Sequence, residues 1–378
     1  MGVARWDVVV VGGGAMGAAA AWHLARRGRR VVVLERFPRG HSRGSSHGRA
    51  RIFRLAHTQV ADVRMAQAAL PLWRELEEAT GRALLTTTGG LDHGDPAVLD
   101  TIRSSLDRCG VRYESLTAPA ANERWPGVRF DRQVVVQPDA GRLDADAAVS
   151  ALHSAAQRAG ADVHVEQPVT HLEVGSRHVT VTTAAGSHVA PTAVVACGAW
   201  TASVLAGHLD LPPLTVTRQQ PAQFPVRDAG GDWPCFRHHL RRPDAAGVAA
   251  GAYGLASPGE GVKVGERGPG PVVNPDVVGT PDPLVLEQLR AYVSRWLPGL
   301  DPQPSSVTTC LITSTPSKNF LIDRCGHLVV GAGFSGYGFK FVPEVGRMLA
   351  DLTDGPEAAV PARFRRANHA AGPPRDGR

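Results

Sequence analysis

At 378 residues the chain exceeds one ordinary domain, so a large core, or two domains sharing a ligand crevice, is expected. A hydrophobic content of 43% suits a globular protein, no apolar run reaches the roughly 18 to 20 residues of a membrane span, and the first such run leads into glycines, so a cytoplasmic location is expected. The net charge of +6 rests on dispersed arginine, which argues against a nucleic-acid partner, and five widely spaced cysteines without a C-x-x-C pair argue against a disulfide framework or a zinc site.

Asp7-Val8-Val9-Val10-Val11 is too short for a helix and suits a strand buried on both faces. Gly12-Gly13-Gly14-Ala15-Met16-Gly17 follows, then an Ala-rich helix ending at Gly28, then a second strand, Val31 to Leu34, closed by Glu35. Strand, glycine turn, helix, strand and acid make a βαβ dinucleotide unit. Gly12 allows the tight turn, Gly14 lets a pyrophosphate approach the helix N-terminus, and Gly17 lets helix and strand pack closely. Glu35 is placed to accept hydrogen bonds from an adenosine ribose. The motif leaves NAD and FAD open.

The segment from Pro38 to Arg54 begins as a Gly/Ser loop and reads as turning helical, with Ser45 or Ser46 as N-cap. In a helix His47, Arg51 and Arg54 would share one face, three donors suited to flavin edge atoms or a substrate carboxylate. Met65 to Thr80 reads as an amphipathic helix with Leu70, Leu72, Trp73 and Leu76 as core, and Thr86 to Leu91 as a strand entering a second region. Helices are expected near Pro96 to Cys109 and over 144–159, and strands at Val134 to Val136, 162–166 and 169–183. Val194 to Trp200 is a buried strand ending in a glycine turn, which faces a ligand crevice in such folds. From Pro212 to Pro304 alternating strands replace βαβ units, with a loop-rich insertion over 265–283 and a helix from Leu284 to Trp296. Strand Leu328 to Val330 leads into a glycine-rich loop, Gly331 to Lys340, and a helix from Pro343 to Leu352. Lysine occurs only at Lys263, Lys318 and Lys340.

Taken in order, Gly12-Gly13-Gly14-Ala15-Met16-Gly17, Ser46 to Arg54, Arg124-Trp125-Pro126-Gly127, Gly198-Ala199-Trp200, Cys310 and Gly333 to Lys340 resemble the monomeric sarcosine oxidases and N-methyltryptophan oxidases, within the D-amino-acid-oxidase-like flavoproteins. The resemblance spans nearly the whole chain, is weakest over about 220–304, and favours FAD over NAD. It implies an α/β, two-domain fold. A Rossmann-like FAD-binding domain would comprise 1–90, 145–211 and 305–366, and a mainly antiparallel substrate domain 91–144 and 212–304, followed by a disordered tail over 367–378. It also implies FAD attached covalently through Cys310. The implied FAD-binding residues are Gly12, Gly14, Met16, Gly17, Glu35 and Arg36, then Ser46, Arg51, Val169, Gly198 and Trp200, and finally Gly333, Gly336, Gly338 and Lys340.

By the same resemblance His47 and Arg51 lie against the flavin, Arg54 and Lys340 hold a substrate carboxylate, and Lys263 stands where oxygen is reduced. The implied reaction oxidises the C–N bond of a secondary amino acid to an imine, with dioxygen reduced to hydrogen peroxide by a monomer. Two departures concern the substrate. The family's aromatic residue before a glycine is replaced by Ala249-Ala250-Gly251-Ala252-Tyr253, where Tyr253 could serve only in a shifted register, and Arg267 takes the place of a histidine. A bulkier or cyclic secondary amino acid fits such a pocket at least as well as sarcosine. The rival readings are an FAD dehydrogenase using another acceptor, a flavin-dependent nucleic-acid-modifying protein and a non-catalytic dinucleotide-binding module.

Overall fold

Val8–Val11 and Val31–Leu34 pair in parallel, with the helix Ala15–Ala25 crossing between them, so the β-branched runs form the strands they suggest. The computed structural model describes residues 3–227, 233–243, 247–248, 250–355 and 360–369. Its central sheet has six strands, in the order Asp162–His164, Val31–Leu34, Val8–Val11, Thr192–Val195, Leu328–Ala332 and Leu321–Cys325. All neighbours are parallel except the last pair.

Because successive strand side chains point to opposite faces, the valines divide between two cores. Val8, Val10, Val31 and Val33 pack with the helices Ala15–Ala25, Ala145–Arg158 and Val342–Asp354. Val9, Val11, Val32 and Leu34 pack on the other side against Leu172, Val179 and Val181 of a small four-stranded sheet. Continuous apolar strands are what a sheet covered on both faces requires.

A second sheet has eight strands and joins Gly90–Gly94, Glu114–Leu116 and Val134–Gln137 to strands from 222–307. It is antiparallel apart from one parallel pair, Cys235–His239 against Gly90–Gly94. One face carries Leu91, Val134, Val136, Phe236, Ala252, Val262 and Val264, covered by the helix Pro283–Trp296 through Leu289, Tyr292, Val293 and Trp296. The opposite face looks toward the six-stranded sheet. A two-stranded ladder, Thr215–Gln219 with Cys310–Ser314, links the two regions. Among the described residues no helix is long and apolar enough to cross a membrane.

Three expectations need correction. The segment around Arg51 is not helical: Arg51–Phe53 is a strand paired with Gly141–Leu143, and His47 lies in the loop before it. Glycine and serine upstream give no helix nucleus, while Ile52 and Phe53 suit a pleated partner, and glycine at 141 lets the Thr86 carbonyl come within 2.1 Å of where a Cβ would stand. The strand expected from Thr86 to Leu91 is two strands, Leu85–Thr87 and Gly90–Gly94, in different sheets. The tail is ordered through His369, which is buried with its ring against Ser317 Oγ (3.0 Å) and the Phe364 carbonyl (3.3 Å). The rest of the expected disorder, 370–378, lies outside the described residues.

His23 is buried between Ala15–Ala25 and Val342–Asp354, with Nε2 donating to the Pro343 carbonyl at 3.0 Å. Burial, reinforced by Arg26, pushes its pKa down to about 4. A histidine depressed in the folded state favours folding fully above its unfolded value of about 6.5 and loses that contribution as the pH falls toward 4. We expect wild-type stability to fall by up to about 3 kcal/mol over that window. Urea midpoints of His23→Gln, which has no titrating ring, should show a shallower slope from pH 6.5 to 4.

Candidate active site

The glycine turn shows why its residues are small. Gly12 has φ +99°, and a Cβ there would stand 2.6 Å from the Ala196 carbonyl oxygen; a Cβ on Gly17 would stand 1.9 Å from the Gly12 carbonyl oxygen. No side chain fits either place. Gly14, as N-cap of Ala15–Ala25, has no side chain with which to cap the helix. Ser46 supplies the missing acceptor, its Oγ taking the Ala15 N–H at 3.1 Å. The serine expected to cap its own helix therefore caps the cofactor helix instead. Glu35 accepts from the Gly13 and Phe37 backbone N–H groups at 2.7 and 2.9 Å.

These residues open onto a cavity of about 1280 Å³. Its wall includes Gly12, Gly14, Met16, Glu35, Arg36, Ser46, Arg51, Val169, Gly198, Trp200, Gly333, Gly336, Gly338 and Cys310. Gly17 and His47 are not on the wall: Gly17 packs behind the turn, and His47 has its Nε2 buried without a hydrogen-bond partner. Burial, with Arg51 and Lys263 close by, pushes the His47 pKa down to about 4, so the ring is neutral at pH 7. Arg51 is held by the carbonyls of Ser45, His47 and Ala50.

The far end of the cavity is floored by the uncovered face of the eight-stranded sheet. Alternation that sends Val262 and Val264 into the core sends Lys263, Gly265 and Arg267 toward the cavity, and neighbouring strands add Tyr253, Arg237 and His239. Tyr253 does reach the cavity, because Tyr253 pairs with Gly265, where a Cβ would stand 2.6 Å from its hydroxyl. Lys263 Nζ lies 3.5 Å from the Ala50 carbonyl, and burial together with Arg51 pushes its pKa down to about 7. Lys340 enters from the other side, its Nζ donating to the Tyr337 carbonyl, and burial with Arg54 nearby brings it to about 7 as well.

Arg54 is buried, and its Nη1, 3.5 Å from Asp92 Oδ1, has no hydrogen-bond partner. Asp92 is engaged by His239 Nε2 at 2.7 Å, and His239 Nδ1 by Arg267 Nη1 at 2.9 Å. Guanidinium nitrogens only donate, so Nδ1 must accept and Nε2 must carry the proton given to Asp92. Burial holds His239 below its ordinary pKa, which agrees with a neutral ring. Burial would raise the Asp92 pKa, but Arg54 and His239 hold it below the usual carboxylate value. Asp92 and His239 were missed by sequence reasoning. Their signal was available as polar residues at alternate positions of Gly90–Gly94 and Cys235–His239, but it needs the parallel pairing of those strands to become a contact.

The site fits a flavin dinucleotide on its own geometry, with a side-chain-free turn at a helix N-terminus, an acid after the second strand, and an orphaned arginine nitrogen at the far end. Comparison with known proteins agrees. Residues 7–352 match the family described as FAD dependent oxidoreductase. Monomeric sarcosine oxidase of Streptomyces avermitilis is 35% identical, covering 92% of this chain and 93% of its own length. Peroxisomal sarcosine oxidase of Homo sapiens is 32% identical and covers 92% of each chain. The solved structure of NikD, described as an unusual amino acid oxidase essential for nikkomycin biosynthesis, has a TM-score of 0.86 at 32% identity, covering 96% of this chain and 98% of its own. The chain belongs to the D-amino-acid-oxidase-like family of FAD dependent oxidoreductases. It is an enzyme that uses FAD and acts on the CH–NH group of amino acids, with sarcosine oxidases and an N-methyl-L-tryptophan oxidase among its relatives.

Breaking a buried ion pair leaves an uncompensated charge and typically costs about 3 to 5 kcal/mol. Asp92→Asn keeps the shape but removes the charge facing Arg54, so we expect a loss near the lower end, about 3 kcal/mol, read as a shift of the urea unfolding midpoint.

Proposed function

We propose that the protein is an FAD-dependent oxidase of the C–N bond of a secondary amino acid, N-methylated or cyclic, giving an imine and hydrogen peroxide. The observation that supports this most is the convergence of Lys263, Arg54 and Lys340 on one cavity whose other end is the glycine turn. Bound FAD supplies the two-electron oxidation of the substrate and delivers those electrons to dioxygen. In this reading the segments 1–90, 145–211 and 305–366 hold FAD, and 91–144 and 212–304 hold the substrate. The enzyme acts as a cytoplasmic monomer on a small molecule, without a nucleic-acid partner.

Arg54 and Lys340 bind the substrate carboxylate. Arg54 offers a directional guanidinium whose Nη1 faces Asp92 but makes no hydrogen bond within the protein, and Lys340 a point charge that an arriving anion would raise above its value of about 7. Arg51, fixed by three carbonyls, supplies positive charge beside the cofactor, with His47 packed behind it. Lys263 is the group that favours an oxidase over a dehydrogenase with another acceptor. Its ammonium, desolvated next to Arg51, stabilises the negative charge that develops on dioxygen.

Cys310 opens the strand Cys310–Ser314 on the cavity wall, and we assign it the covalent link to FAD. Wild-type protein precipitated with acid should keep its yellow colour in the pellet, and Cys310→Ala should release it to the supernatant. A colourless pellet from flavin-loaded wild type would remove the link.

Lys263→Met should slow the reaction of reduced enzyme with oxygen by about 100-fold or more, since each ~1.4 kcal/mol of lost stabilisation is tenfold in rate. Substrate-driven bleaching of the flavin should change far less. In wild type the oxygen reaction should slow as the pH rises through about 7, where Lys263 loses its proton, and the variant should lack that dependence. Stopped-flow absorbance of the two half-reactions, taken separately, reads both effects, and a wild-type rate in the variant would exclude the lysine.

A further inference from the structure

The pairing of charges at the far end of the cavity leaves Arg267 as an arginine without a carboxylate of its own. Asp92 faces Arg54 at 3.5 Å and takes the His239 proton at 2.7 Å. Arg267 is joined to this chain only through His239 Nδ1, at 2.9 Å, and that ring is neutral. Among the described residues no carboxylate stands within salt-bridge distance of the Arg267 guanidinium. One Nη1–H of five donors is therefore used, by a partner that brings no charge. The backbone fixes the side chain in place, since the Arg267 N–H donates to the Gly251 carbonyl at 2.8 Å and Arg267 follows Lys263 and Gly265 on the cavity side of the strand. Burial, with Arg54 nearby, pushes the Arg267 pKa down to about 10, and Asp92 offsets this only in part.

We propose that Arg267 anchors a second carboxylate of the substrate, so that the enzyme takes secondary amino acids carrying two acidic groups, one held by Arg54 and Lys340 and the other by Arg267. The assignment rests on the amino acid oxidase reading of the cavity and names the substrate class within it. A planar guanidinium with four free donors suits a carboxylate gripped through two oxygens, which a histidine at this position could not offer. His239 serves as a spacer: by accepting from Arg267 and donating to Asp92 it keeps the two arginines apart and turned toward different groups of one ligand.

The test uses FAD-loaded enzyme and two pairs of inert ligands in which sulfur replaces the amine nitrogen. Thiodiacetate is set against (methylthio)acetate, and 2-(methylthio)butanedioate against 2-(methylthio)propanoate. Binding is read from perturbation of the flavin absorption spectrum, which needs no turnover. In wild type at least one diacid should bind at least ~10-fold tighter than its matched monoacid. Arg267→Gln should bring that ratio close to one, and Arg267→Lys should keep part of it. A structural role for Arg267, acting through His239 and Asp92 on Arg54, would instead weaken both members of a pair equally and leave the ratio intact. Equal affinities in wild type, absence of diacid binding, or a ratio that survives Arg267→Gln each overturn the assignment. Anaerobic bleaching by secondary amino acids is measured alongside. Bleaching without diacid preference leaves the oxidase standing and removes the second carboxylate, while diacid preference without bleaching does the reverse.

Discussion

Arg54, Arg267, Lys263 and Lys340 are all drawn out of water at one end of a single cavity, and each must recover its lost hydration from a partner. The chain provides too little negative charge for all of them. Asp92 serves Arg54, and the lysines respond to burial by moving toward neutrality near pH 7. Arginine has no such escape at physiological pH. The site is thus tuned for anions: Asp92 stands 3.5 Å from Arg54 Nη1 but leaves it without a hydrogen bond, which a ligand carboxylate would add.

The choice between lysine and arginine then acquires a physical meaning. A lysine poised near pH 7 carries a charge that can be gained or lost during a catalytic cycle, so Lys263 suits a position where negative charge appears only transiently. A guanidinium stays charged and directional, so Arg54 and Arg267 suit groups charged throughout binding. All three lysines of the chain lie on the wall of this cavity, but only Lys263 and Lys340 are buried there, Lys318 being exposed, and it is these two that follow that division.

The first βαβ unit was legible in the sequence because its signals are local. Val8–Val11, the glycine turn and Val31–Leu34 lie within one short stretch, and steric exclusion at Gly12 and Gly17 needs no distant partner to be anticipated. The segment holding His47, Arg51 and Arg54 was misread because its structure is imposed from outside. Arg51–Phe53 is a strand on account of Gly141–Leu143, about ninety residues away, and Ser46 caps a helix about thirty residues upstream. The Asp92–His239 contact was hidden for the same reason: it spans 147 positions and depends on the one parallel pair in an otherwise antiparallel sheet. Tyr253 lay between these cases. Its presence was visible, but only the ladder pairing it with Gly265 shows that it faces the cavity.

The insertion after Arg267 connects the two ends of the cavity through a single piece of chain. It leaves the sheet at Arg267, just past the strand Gly261–Glu266 that carries Lys263, and Asp276, further along, takes the Trp200 Nε1–H and the Arg36 guanidinium, each at 2.9 Å. Arg36 also lies over the Phe37 ring at 5.1 Å, and Phe37 packs against Trp200 at 5.2 Å, so the clamp closes beside Glu35 and the glycine turn. The same loop therefore starts beside the residues of the reacting end and fastens itself near the dinucleotide end. Because Asp276 and Arg36 are exposed, their ion pair alone contributes little, and the loop is held further by pairing with Thr215–Gln219, where the Arg218 N–H donates to the Pro271 carbonyl and the Val273 N–H to the Val216 carbonyl, each at 3.0 Å. Lys263 is held by the register of its own strand, paired on both sides, so change at Arg267 and in the loop beyond it can leave Lys263 in place, and substrate preference can diverge while the oxygen chemistry on the same strand is kept.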